Sequence, residues 1–89
     1  MKSPDRICGE NADANRKITV KWLDDEKEYI LIEGTKEDLE FLGNLLISQA
    51  NFEKDDSFFL SPKGPGNALF TKKSQFGIYI LRIDKKEKV

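Results

Sequence analysis

The chain has 89 residues, 35% of them charged, with a formal net charge of −1, no histidine and a single cysteine, Cys8. That length fits one small domain with a thin core, and the balanced, mixed-sign charge excludes a strongly basic nucleic-acid binder. Without imidazole, and with one unpaired thiol, the chain lacks the commonest proton shuttle, an activated nucleophile and the usual soft metal ligands. The expectation is a domain that binds rather than an enzyme, with no catalytic residue, no metal and no cofactor.

Residues 1–16 carry charges, Asn, Gly and Pro with almost no apolar periodicity, and they read as a disordered N-terminal tail. No run there suits a secretory signal, and no run anywhere approaches the roughly 18 apolar residues of a membrane span. Cytoplasmic residence without membrane contact is the expectation, and a lone cysteine fits a reducing compartment. A single domain is expected over residues 17–84, followed by a charged C-terminal tail over 85–89.

From Lys17, the apolar Ile18, Val20 and Trp22 alternate with Lys17, Thr19 and Lys21, the period-two pattern of a half-buried strand. A second apolar run, Tyr29 to Ile32, follows the polar reversal Asp24 to Lys27, so the two should form a hairpin. The turn lacks Asn-Gly or Asp-Gly, which leaves open whether Trp22 stands opposite Tyr29 or Ile30. Thr35 is an N-cap candidate, and Glu37 and Asp38 complement the dipole of a helix over Lys36 to Ala50. Leu39, Leu42, Leu45, Leu46 and Ala50, extended by Phe41, form its apolar face. Phe58 to Leu60 reads as a third strand, Ser61 to Asn67 as a loop broken by two prolines and two glycines, and Ala68 to Phe70 as a brief extended segment. Phe76 to Ile83 is nearly all apolar, which suggests a central last strand. The order ββαββ predicts an α+β two-layer sandwich: a four-stranded, mainly antiparallel sheet covered by one helix. Trp22, Tyr29 and Tyr79 are candidates for the uncovered face.

Few constellations carry chemistry. Asp24-Asp25-Glu26 and Asp55-Asp56 lack the spacing and turn glycine of a calcium loop. Lys63 to Asn67 lacks the Gly-Lys-Ser/Thr ending and following helix of a phosphate loop. Phe76 and Tyr79 echo the stacking rings of single-stranded RNA binders, but Ile78 stands where a second ring belongs. Charge is more informative. Residues 24–40 hold eight acids against Lys27 and Lys36, a net of −6. If the hairpin tip lies near the helix start, Asp24, Asp25, Glu26, Glu28, Glu37 and Glu40 form an acidic patch able to steer a basic protein partner and repel nucleic acid.

Three stretches resemble a known family. A strand running into Glu33-Gly34-Thr35-Lys36-Glu37-Asp38-Leu39-Glu40-Phe41-Leu42, the segment Phe58-Phe59-Leu60-Ser61-Pro62, and Leu69-Phe70-Thr71-Lys72-Lys73-Ser74 before an apolar strand ending Arg82-Ile83-Asp84 are similar to the immunity protein 32 family of bacterial polymorphic toxin systems. The family's third strand often carries histidine, where this chain has Ser57, Phe58 and Phe59. The resemblance implies a non-enzymatic inhibitor that occludes a cognate toxin. The alternatives are a structural or regulatory homo-oligomer, with a homodimer formed through the open sheet face or a strand edge, and a weak single-stranded RNA binder.

Overall fold

The computed structural model describes residues 2–84, and the charged segment 85–89 lies outside the described residues. Residues 2–16 of the expected N-terminal tail are not loose, because Ser3-Pro4-Asp5 starts a helix. The Ser3 hydroxyl accepts the Arg6 N–H at 3.2 Å, Pro4 suits the first turn, and Asp5 complements the dipole. Helix α1, Pro4–Asp13, buries Pro4, Ile7 and Cys8. Its apolar stripe is too sparse to register as periodicity. Contact with helix α2, Lys36–Asn51, holds it in place, and the Ser48 hydroxyl donates to the Lys2 carbonyl at 2.6 Å.

Strands β1, Thr19–Trp22, and β2, Ile30–Glu33, form the antiparallel hairpin, in a register that puts Trp22 opposite Ile30. β1 is used on both edges. Away from β2, the Ile18 N–H donates to the Leu69 carbonyl at 2.9 Å and the Ile18 carbonyl accepts from Thr71 at 2.9 Å. Farther along, the Val20 carbonyl accepts from Gln75 at 2.8 Å, while the Ser74 hydroxyl and the Gln75 side-chain carbonyl accept the Val20 and Trp22 N–H groups. This segment stands where a third strand would lie, but side chains replace much of the regular ladder. It opens with the 3-10 turn Asn67–Leu69 rather than the extended stretch expected there, and only Phe70 bridges to Ile18 in parallel.

The remaining strands, β3 over Ser57–Leu60 and β4 over Ile78–Leu81, therefore pair with each other alone. Among the described residues the fold is α+β, with two helices and two separate two-stranded antiparallel sheets, not the single four-stranded sheet with one helix. Nor is β4 central: Tyr79 and Leu81 face solvent while Ile78 and Ile80 pack on the core. Leu60 is buried between two glycines that approach it closely. A Cβ on Gly77 would overlap the Leu60 carbonyl oxygen, and Gly66, at φ 78°, passes against the Leu60 side chain.

Helix α2 begins as the sequence indicates, with a reciprocal Thr35 and Asp38 capping box. Its buried face is rotated from the expected one. Phe41, Leu45, Ser48 and Gln49 are buried, Leu42 is half-buried, and Leu39 and Leu46 are exposed. The Ser48 hydroxyl donates to the Lys2 carbonyl and the Gln49 Nε2 to the Asp55 carbonyl, while the Gln49 Oε1 is buried without a partner among the described residues. The last turn of α2 holds no basic residue. The Arg82 guanidinium, arriving from beyond β4, donates instead to the Gln49 and Phe52 carbonyls at 3.2 and 2.7 Å. Ile7, Cys8, Ile18, Val20, Phe41, Leu45, Leu60, Leu69 and Phe70 form the core between these elements.

Candidate functional site

Helix α2 starts at the base of the first hairpin, not at its tip. The Asp38 carboxylate accepts the Lys17 N–H at 3.1 Å and the Thr35 N–H at 2.9 Å, tying the entry of β1 to the first turn of α2. Partial burial pushes the Asp38 pKa up, but the hydrogen bonds from Thr35 and Lys17, with the charge of Arg16, outweigh it and hold the carboxyl below its ordinary value. At about 3.3 Å per residue, the Asp24 turn lies roughly 20 Å from Lys17 along β1. The six acids singled out from the sequence thus form two groups. Asp24, Asp25, Glu26 and Glu28 occupy the tip, and Glu37 and Glu40 project from the start of α2 at the opposite end.

At the tip the charges have local work as well. The Asp24 carboxylate accepts the Glu26 N–H at 3.0 Å, its carbonyl accepts the Lys27 N–H at 3.4 Å, and Lys27 takes φ 58° to close the turn. Lys21 and Lys27 join Trp22, Asp24, Asp25 and Phe76 around an open cavity of about 590 Å³. Phe76 meets Trp22 edge-on, with ring centroids 5.3 Å apart.

Of the apolar residues between these acids, the sequence marks Tyr29 for an open face; Leu23, Ile30 and Ile32 are the part that sequence reasoning missed. Leu23 is 50% exposed, Tyr29 59%, Ile30 49% and Ile32 45%. Alternation in an apolar run reads as one face inward, yet the residues of β2 are exposed or at most half-buried on both faces. A signal was present in the chain: the run Tyr29 to Ile32 is bracketed by Glu28 and Glu33, which fits a strand left at a solvated edge.

Other candidates settle differently. Phe76 is half-buried against Trp22, while Tyr79 stacks on Phe59 in the other sheet at 5.8 Å, so the two rings do not form one stacking platform. Asp55 accepts the Ser57 N–H, and the Asp56 carbonyl accepts from Arg82, which makes both residues part of the β3 entry. Burial, with the nearby charge of Asp5, pushes the Cys8 thiol up to about 11, so it keeps its proton at neutral pH. Among the described residues, no three His, Cys, Asp or Glu side chains are grouped to hold a metal ion, and no helix is long and apolar enough to cross a membrane. The chain matches no family model, no curated protein and no solved structure with which it was compared.

Proposed function

We propose that the chain is a small non-enzymatic protein-binding domain, an immunity-type inhibitor that occludes a basic toxin domain with its first hairpin. The observation that carries this reading is the composition of the exposed hairpin, where Leu23, Tyr29, Ile30 and Ile32 lie among Asp24, Asp25, Glu26 and Glu28. Apolar side chains of this size supply contact area, and carboxylates around them steer a cationic partner and penalise an anionic one. The inhibitor form of the reading comes from the resemblance of residues 17–84 to immunity proteins.

The test first asks whether a toxin domain is encoded beside this reading frame, and then pairs the chain with it. Co-expression should restore growth, and the purified proteins should form a complex whose association slows as salt rises. Reversing Asp25, Glu26 and Glu28 to Lys should slow association at least tenfold, whereas reversing Glu37 and Glu40 should change it less than threefold. Failure of the neighbouring domain to bind would overturn the inhibitor reading. Equal effects of the two reversals would move the contact away from the tip.

A second reading, a homo-oligomer, draws support from the outer face of β3 and β4. There the stacked Phe59 and Tyr79 rings and Leu81 are all exposed. Sedimentation equilibrium of the parent and of Tyr79→Ser distinguishes the two: one monomeric species in both favours the inhibitor.

A further inference from the structure

We propose that the outer edge of β2 binds an extended partner segment as an added strand, a segment with four apolar or β-branched residues between two Lys or Arg residues. The proposal rests on the reading of the chain as a protein-binding domain and names how the partner is held.

Backbone polarity comes first. In an antiparallel pair, residues alternate between those that exchange hydrogen bonds with the partner strand and those whose N–H and C=O point away from it. The Leu23 N–H donates to the Tyr29 carbonyl at 2.9 Å. With Trp22 opposite Ile30 and Val20 opposite Ile32, the alternation turns the backbone of Leu31 and Glu33 toward β1 and that of Ile30 and Ile32 outward. The opposite side of the hairpin agrees, since Ile18, Val20 and Trp22 spend their outward groups on the segment from Leu69 to Phe76. Among the described residues, nothing hydrogen-bonds the N–H and C=O of Ile30 or Ile32, and β2 has β1 as its sole strand neighbour.

An edge of this kind is ordinarily blunted by shortness, by charged side chains, by proline, by a bulge or by a covering element. β2 is short and the carboxylates of Glu28 and Glu33 flank the apolar run, but no proline or lysine interrupts it, and Ile30 and Ile32 are about half exposed. Main-chain groups aimed at solvent beside apolar side chains are what a strand-adding peptide uses, the backbone supplying affinity and the side chains supplying choice.

Charge selects the occupant. The edge reads Glu28-Tyr29-Ile30-Leu31-Ile32-Glu33, with a carboxylate at each end. A second copy must likewise present Ile30 and Ile32 outward, so an antiparallel pair centred on them sets Glu28 against Ile32 or Gly34 and brings no cation to it. A segment with a cation at each end gains two opposite-charge pairs in the same place.

The probe is a six-residue blocked peptide with lysine at both ends and alternating valine and threonine between. One control carries glutamate ends, and another keeps the lysines but has N-methyl groups on alternate residues of the edge that would face β2. Amide hydrogen exchange is read residue by residue in the full chain. The lysine peptide at saturation should slow exchange of the Ile30 and Ile32 amides at least tenfold and leave Leu31 and Glu33 within threefold. The glutamate and N-methyl peptides should leave all four unchanged. Equal protection by the N-methyl peptide, or none by the lysine peptide, overturns strand addition. Protection that appears without peptide and grows with protein concentration assigns the edge to a second copy. A partner that binds while Ile30 and Ile32 keep exchanging overturns this mode and leaves the binding function standing.

Discussion

β2 and β4 have nearly the same composition and opposite fates. Ile30-Leu31-Ile32-Glu33 and Ile78-Tyr79-Ile80-Leu81 are four-residue apolar strands, each the second arm of an antiparallel pair. In β4 one face, Ile78 and Ile80, packs on the core. In β2 no residue belongs to the core, and Ile30 and Ile32 are exposed. The difference lies in the first arm: Leu60 of β3 is buried at the close approach of Gly66 and Gly77, whereas β1 spends its inner contacts on residues 69–76 and leaves β2 outside. Apolar composition alone therefore does not place a strand in a core. The neighbours that reach it do.

That contrast can be attacked from its strong side. Leu60→Ala removes the side chain that fixes β3 and β4, and it should cost about 2 to 5 kcal/mol in a urea unfolding titration. Arg82→Ala should cost about 1.5 to 3 kcal/mol, because two carbonyls at the end of α2 lose a charged donor. At the fixed base of the first hairpin, Asp38→Ala should cost about 1 kcal/mol near neutral pH. The native carboxyl has a lowered pKa, so its contribution is complete above the unfolded value of about 4 and is lost as pH falls through the folded value. The gap between Asp38→Ala and the parent should accordingly narrow as pH falls below about 4; a gap constant from neutral to acid pH would contradict the assignment. The smallest effect belongs to β2, where Ile32→Thr should shift stability by no more than about 0.5 kcal/mol.

Much of this scaffold was legible in the sequence. The alternation of Ile18, Val20 and Trp22 marked β1, and Thr35 with Asp38 marked the start of α2 to the residue. The buried face of α2 was legible only in Phe41 and Leu45, because the expected stripe also took in Leu39, Leu46 and Ala50, which are exposed, where the structure buries the polar Ser48 and Gln49. Their partners, the Lys2 and Asp55 carbonyls, come from other parts of the chain. Helix α1 announced itself only in Ser3-Pro4-Asp5, a cap with few apolar residues behind it. For the candidate site, the acids were legible as residues but not as places. Whether Glu37 joins Asp25 depends on which end of the hairpin α2 abuts, and the contact of Lys17 with Asp38 decides that.

The free edge of β2 is tested most directly by amide hydrogen exchange of the chain alone at low concentration. Ile30 and Ile32 should exchange at close to the rate of an unstructured chain, while Leu31 and Glu33, bonded to β1, exchange at least tenfold more slowly. Equal protection at all four positions would mean that the outer edge is already occupied, and would contradict the account.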